Sequence, residues 1–407
     1  MIIGTFKKGI FATALMLALS AQGHAADENK EIYLNQLQDV SSIVFDPNRA
    51  EGFTISSPYG IFSVGSNGLV HKVNQGKGYF TQLKSHPSNA DLLFASGYKS
   101  ETEKLGFLRS EDHGKNWKKI SDHDVAFFTL SVSRTNPHVI FAADENIQMS
   151  KDGGKSWVKV SDIPGERLFA LAVSPTDEKI VYAATYNGLL VSKNSGKSWK
   201  DIGPVKKPVS AVSISPTGMI NAFIYQYGYA RADEKTLNWE QVSQGFQNRV
   251  LLNLSFDPNH KDRIYGVSDT GAVMISENAG KTWGSFEGHS YSSAERVAKG
   301  KALFEENCSA CHGAKGVGEA PDNPGAVDEN KMPLAPALNN NMHAWHHSDE
   351  QLISTILNGS PRNERMIAWK DHDLSREDAE SVVAYIKSLW NFTSLSCQGP
   401  RHMSCMH

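Results

Sequence analysis

Cysteine is nearly missing from this chain: four residues in 407, at 308, 311, 397 and 405. So few exclude a fold held together by disulfides, and a chain of this length can bury a core without them. An excess of one charge is also lacking. Lys and Arg number 41 against 44 Asp and Glu, a formal net charge of −3. That gives neither the basic footprint of a nucleic-acid binder nor an acidic tail. No run after residue 25 is long and apolar enough for a membrane span. The one early apolar run, "GIFATALMLALSA", follows Lys7 and Lys8 and ends in "GHA", with small residues at Gly23 and Ala25. It reads as a signal peptide over 1–25. No cysteine follows the cleavage point, which argues against a lipid anchor. The mature chain is expected to be exported and soluble, in a bacterium to the periplasm.

What is abundant is repetition. "SEDHGKNW" starts at Ser110, "SKDGGKSW" at Ser150, "SKNSGKSW" at Ser192 and "SENAGKTW" at Ser276. The starts are 40, 42 and 84 residues apart, and a worn copy, "RADEKTLNW", fills the double gap at Arg231–Trp239. A period near 40 marks stacked supersecondary units. Each unit carries short alternating runs divided by turn residues, as in "LFALAVSPTDEKIVYAATYNGLLVSKNSGKSW". Four antiparallel strands per unit is the pattern of a propeller blade. Six units begin near Val40, Phe80, Phe127, Leu168, Val209 and Leu251; the first lacks the tryptophan box.

These boxes resemble the Asp-box, or bacterial neuraminidase repeat, Ser-x-Asp-x-Gly-x-x-Trp. The resemblance implies a six-bladed propeller in which the boxes are folding staples. Asp112 and Asp152, imitated by Asn194 and Asn278, would bind turn amides. Gly114, Gly154, Gly196 and Gly280 would take positive φ, and Trp117, Trp157, Trp199 and Trp283 would wedge between sheets. The sialidases of this group need an arginine cluster with a tyrosine nucleophile. Arginines are sparse here, the Phe-Arg-Ile-Pro motif is missing, and Tyr182, Tyr225 and Tyr227 read as core tyrosines of strands. Glycosidase activity is not expected.

After Trp283 the pattern changes. "GSFEGHSYSS" is small and polar, and "AERVAKGKALFEENCSACHG" reads as a helix running into Cys308-x-x-Cys311-His312. Three chemistries use such a pair. Zinc needs two more ligands at a recognisable spacing, and no second C-x-x-C exists. A thioredoxin-like couple follows a strand, and none is visible. C-x-x-C-H is the signature of covalent haem attachment: two thiols reach the porphyrin vinyl groups and His312 supplies an imidazole to the iron.

Residues 294–390 resemble a class I cytochrome c. Gly300 and Phe304 match the positions where its first and last helices cross. In that family the Pro336 carbonyl receives the other N–H of the ligand histidine, Leu338 packs on the haem, and Met366 is the second axial ligand. Ser348 with Gln351, and Ser375 with Asp378, read as caps of two further helices. Val382, Val383, Tyr385, Ile386 and Leu389 give the last helix its apolar face. Met332, Met342, His343, His346 and His347 are rival ligands. One covalent haem c with both axial positions filled implies one-electron transfer.

The tail "SLSCQGPRHMSCMH" places Cys397, His402, Met403, Cys405, Met406 and His407 within eleven residues. Thiolate and thioether suit Cu(I), and two spare cysteines in an exported chain also suit a disulfide. Both readings stay open, as does a loose terminus.

The expected organisation is multidomain: signal peptide 1–25, all-β six-bladed propeller 33–286, linker 287–293, small all-α cytochrome c domain 294–391, and tail 392–407. The expected function is periplasmic electron transfer to a redox partner protein, with the propeller as docking or recognition platform. Two alternatives stand: a haem-linked oxidoreductase with a substrate or copper site on the propeller, and a copper-homeostasis or assembly factor.

Overall fold

The computed structural model describes residues 32–405, except 35, 36, 38, 47–51, 75–77, 101, 122, 123, 216, 245, 287–293, 324 and 343. The expected signal peptide and linker lie outside the described residues, as do His343, Met406 and His407.

Six antiparallel sheets follow one another along the chain, each in simple strand order. Blade 3 is representative, with strands Thr129–Val132, Ile140–Ala143, Asn146–Ser150 and Val158–Asp162. The inner strands are apolar and largely buried, as Leu168–Val173 and Val181–Thr185 in blade 4, where the outermost strand, Lys200–Asp201, is short and exposed. Among the described residues no blade borrows a strand from another. Blade 1 gains a fifth, Ile32–Tyr33, on its outer edge. The ring closes sideways: Ser255 Oγ of blade 6 donates to the Ile43 carbonyl of blade 1 at 2.9 Å. Tyr265, Val267 and Ile275 of blade 6 share a core with Phe53, Ile55 and Val64 of blade 1.

The four boxes adopt one geometry. The serine Oγ accepts from the glycine N–H at 2.8 Å in every copy. The Asp or Asn Oδ1 accepts from the N–H four residues on, at 2.8–2.9 Å. Glycine is needed twice over at 154 and 280. Their φ values are +92° and +89°, and a Cβ at either would enter the ring of Phe107 or Tyr229 on the preceding blade. Trp157 is the most deeply set of the box tryptophans, against Phe107 and Phe127. In the worn box Trp239 turns outward to the neighbouring blade, donating to the Ile202 carbonyl at 2.7 Å. One expectation needs correction. Tyr182 is a buried strand residue, but Tyr225 and Tyr227 lie in the turn between Met219–Ile224 and Gly228–Asp233. Tyrosine's liking for strands was overridden there by a turn that needs positive φ at Gln226.

Strand direction sorts the turns onto two faces. The boxes, between third and fourth strands, share a face with the turns between first and second strands. The opposite face carries the starts of the inner strands and the turns between second and third strands.

The C-terminal module is helical: α1 (Ala294–Asn307), α2 (Ser309–His312), α3 (Asp349–Asn358), α4 (Arg376–Ser388), α5 (Phe392–Ser396) and α6 (His402–Cys405). Both capping boxes form, Ser348 with Gln351 and Ser375 with Asp378. A Cβ at Gly300 would overlap the Ser381 carbonyl oxygen, so α1 and α4 touch backbone to backbone there. Phe304, Val382, Val383, Tyr385 and Ile386 fill the core between them.

The module and its tail rest on the strand-start face of the propeller. Phe392 stacks on Phe246 at 3.7 Å between centroids and 10° between planes. Thr270 Oγ1 donates to the Ser396 carbonyl, Arg249 Nη2 to Cys397 Sγ at 3.4 Å, and Arg401 Nη2 to the Leu37 carbonyl at 3.0 Å.

Candidate haem-binding site

Cys308 closes α1, its N–H donating to the Phe304 carbonyl at 2.9 Å. Its own carbonyl accepts from Cys311 N at 3.2 Å and His312 N at 2.9 Å. The three residues thus form one helical turn, and positions i, i+3 and i+4 of a turn share a face. Cys308 is half-buried and Cys311 exposed, and both are free of disulfides.

His312 Nδ1 lies 2.9 Å from the Pro336 carbonyl oxygen. A carbonyl only accepts, so Nδ1 carries the proton and the Nε2 lone pair is left to act as a ligand. Burial lowers the His312 pKa, opposed by the Pro336 hydrogen bond and the Glu319 charge. The net direction favours the neutral imidazole that a metal requires. The loop between these residues is tight. Gly318 N donates to the His312 carbonyl at 2.7 Å, and Leu338 N to the Gly316 carbonyl at 2.7 Å.

Met366 is half-buried. Its N–H donates to the Asn363 carbonyl at 3.0 Å and its carbonyl accepts from Ser360 N at 3.1 Å. Cys308, Leu338, Leu352, Leu357, Met366 and Trp369 are all partly exposed and packed against one core. Two thiols and an imidazole on one helical turn, with a thioether on the same partly exposed core as Cys308, have the chemistry to receive an apolar macrocycle. The donor set fits a haem. A dithiol couple fits less well. It needs a thiolate, and burial, with the Cys311 charge, pushes the Cys308 thiol up to about 11. Among the described residues, no group of three or more His, Cys, Asp or Glu is placed to hold a metal ion, as a zinc site would require.

Two of the rival ligands have described side-chain surroundings. Met342 lines a shallow surface depression with Ala320 and Pro336. His346 stacks on His402 of the tail, 4.6 Å between centroids. His347 is bonded through its backbone, the carbonyl accepting from Gln398 Nε2 at 3.1 Å, which leaves its ring's role untouched.

In the tail, Cys397 is bonded to Cys405, and Cys397, Gln398 and Arg401 are buried. Both tail thiols are therefore taken, leaving His402, half-buried, and Met403, exposed, as its described soft donors. Gln398 Nε2 also donates to Asp349 Oδ1 at 2.6 Å, and Asp349 pairs with Lys387 at 3.0 Å, both side chains buried. Sequence reading missed this pair and Arg401. Their partners lie 38 and 364 positions away, and no local pattern announces them.

Residues 295–386 match the family model described as cytochrome C oxidase, cbb3-type, subunit III. No curated protein matches the chain. Similar solved structures include an ancestral GH74 enzyme (17% identity, TM-score 0.44, 63% of this chain and 38% of that one). The GH74 enzyme of Niastella koreensis follows at 15%, 0.45, 61% and 45%, and the GH74 xyloglucanase of Xanthomonas campestris at 14%, 0.46, 63% and 46%. The chain spans less than half the length of each, and at these scores the likeness carries no argument about activity. Fold and family match together define the class, a multidomain chain whose C-terminal domain is of a kind that implies haem c. The chain is a six-bladed β-propeller joined to a class I-like cytochrome c domain, a domain that supports haem-based electron transfer. Among the described residues no helix is long and apolar enough to cross a membrane.

Proposed function

We propose that this protein is an exported one-electron carrier. Cys308 and Cys311 bind one haem covalently, and His312 and Met366 are the axial ligands. The observation that carries the reading is the His312 Nδ1–Pro336 hydrogen bond beside the cysteine pair. It fixes the ring's tautomer and orientation and raises its basicity toward a metal. A bound haem would supply reversible one-electron chemistry, with a thioether ligand favouring the reduced state. The protein's own part is to orient the imidazole, hold the thioether and keep water from the apolar side of the core.

The propeller is read as the docking platform for a redox protein. Support comes from the face on which the module rests. Tyr59, Tyr79, Phe128, Tyr186 and Leu252, on five different blades, are 36–54% exposed and all belong to strand starts or second-to-third-strand turns of that face. Aromatic side chains exposed beside an electron-transfer module suit protein recognition.

The test is a visible spectrum of the purified protein, before and after denaturation and acid–acetone extraction. Pigment should stay with the polypeptide, and Cys308→Ser with Cys311→Ser should release it. Met366→Ala should abolish the weak far-red band of a thioether on oxidised haem iron and lower the potential. Pigment found in the solvent for the wild type sinks the reading. For the platform, alanine at Tyr59, Phe128 and Tyr186 should slow oxidation by a periplasmic extract and leave oxidation by ferricyanide unchanged. Equal rates with the extract would remove the docking role.

A further inference from the structure

Arg365 stands one residue before Met366, and its guanidinium reaches Glu319, 46 positions earlier. Nη2 lies 2.9 Å from Oε1 and 2.9 Å from Oε2. Glu319 Oε2 also accepts from the Ala335 N–H at 3.0 Å, and the Glu319 N–H donates to the Ala335 carbonyl at 3.0 Å. Ala335 adjoins Pro336, whose carbonyl receives His312 Nδ1. A second lace runs beside the first: Asn363 Nδ2 donates to the Pro333 carbonyl at 2.8 Å, with Arg365 Nη1 3.5 Å from the same oxygen. Two stretches of backbone, one bearing Met366 and one orienting His312, are thereby joined through one carboxylate and one guanidinium.

Both side chains are about one-third exposed, 34% for Arg365 and 32% for Glu319. A pair so accessible adds little to global stability. Its geometry is nonetheless the directional one. Nη2 alone spans both carboxylate oxygens while Nη1 turns toward the Pro333 carbonyl, so one planar group addresses two partners on the facing segment, which the single nitrogen of a lysine is less suited to do. Polar contacts of this kind, worth little to folding, are suited to holding a loop in register. No helix or strand spans residues 359–368; local bonds of the Met366 backbone to Asn363 and Ser360 shape the loop, and the Glu319–Arg365 and Asn363–Pro333 contacts tie it to the facing segment.

We propose that Glu319 and Arg365 are positioning residues for the axial ligands: the clamp holds the Met366 segment against the segment that orients His312. The inference rests on the haem reading above and assigns roles to two residues that do not themselves touch the metal. Without the clamp, Met366 would spend more time away from the iron, and a competing ligand would bind more readily.

The test uses the full-length, haem-loaded protein in its oxidised form, titrated with cyanide and scanned for the far-red thioether band. Covalent haem is checked on denatured samples and unfolding by urea. Glu319→Gln and Arg365→Leu should keep covalent haem and the urea midpoint. Their cyanide affinity should rise about threefold to tenfold, with a much smaller fractional loss of the far-red band, since affinity follows the minor methionine-off population. Arg365→Lys, which keeps the charge but not the second nitrogen facing Pro333, should fall between. If Arg365→Leu does not accumulate, the near-isosteric Glu319→Gln carries the test. Wild-type cyanide affinity and band in both clamp variants, while Met366→Ala changes them, would overturn the positioning role and leave the ligand reading intact. An unchanged Met366→Ala would instead strike the ligand reading itself.

Discussion

On one face of the propeller lie the tryptophan boxes; on the other lie the inner-strand starts, the second-to-third-strand turns and the haem module. The first face repeats. Serine, Asp or Asn and glycine make the same short-range bonds in four blades, and three of the four box tryptophans donate to their own box's glycine carbonyl. The second face does not repeat. Phe246, Arg249, Thr270 and Leu37 meet the module or its tail through four different kinds of contact, a ring stack and bonds to a disulfide sulfur, a carbonyl and a guanidinium. Repeated staples maintain architecture, and these dissimilar contacts give one side of a nearly symmetric ring its individual use.

The comparison breaks most visibly if one staple proves indispensable. Trp157→Ala should cost about 3–5 kcal/mol, the range for truncating a buried aromatic, because Trp157 is only 9% exposed. Trp239→Ala, in the worn box, should cost clearly less. Urea unfolding of both variants measures the contrast, and equal costs would deny that burial, not motif membership, sets a box's worth. Next in size, Gly300→Ala should cost up to about 3 kcal/mol through overpacking against the Ser381 carbonyl. It should lower covalent haem yield while leaving blade packing alone, as hydrogen exchange of the inner strands would show.

Replacing Cys397 and Cys405 by serine should cost about 2–3 kcal/mol, the chain-entropy figure for so short a loop. It should also raise protease cleavage after Ser396, since the disulfide closes the segment holding Arg401 against Leu37. A tail that resists proteolysis as before would show that Arg401 and Gln398 suffice to hold it.

The smallest effect is electrostatic and separates blades that look alike. The Asp112 pKa is lowered to about 2, chiefly by the backbone N–H of Asn116; that of Asp152 is likewise lowered to about 2, chiefly by the Ser156 hydroxyl. Folded values below the ordinary 3.8 mean stability present above that value and lost as pH falls through about 2. Asn194 and Asn278 hold the same turns without a proton to gain. Asp112→Asn with Asp152→Asn should therefore flatten the acid limb of the unfolding midpoint between about pH 4 and about pH 2. Solvent screening keeps the change small, because both carboxylates lie at the surface.

Much of this was legible beforehand because its signals are local. The boxes close within eight residues, the haem-attachment motif within one helical turn, and the capping boxes over four positions. What escaped was long-range or depended on a neighbour. Tyr225 and Tyr227 sit in a turn that strand propensity does not reveal. The tail read equally well as copper ligands, disulfide or loose end, because its donor chemistry is compatible with all three. Burial of Cys397, Gln398 and Arg401 depends on surfaces of other elements that the tail's own sequence does not encode.

By itself the sequence determined the repeat, the number of blades, the cysteine–histidine turn and the helix starts, since each is fixed by bonds between residues adjacent or nearly so. Tertiary structure alone decided that the ring closes by sideways packing, that the helical module rests on the face away from the boxes, and that Arg365 meets Glu319. Those outcomes hang on contacts between residues 46 to 364 positions apart. Chain folding brings such residues together, and no local periodicity records the meeting.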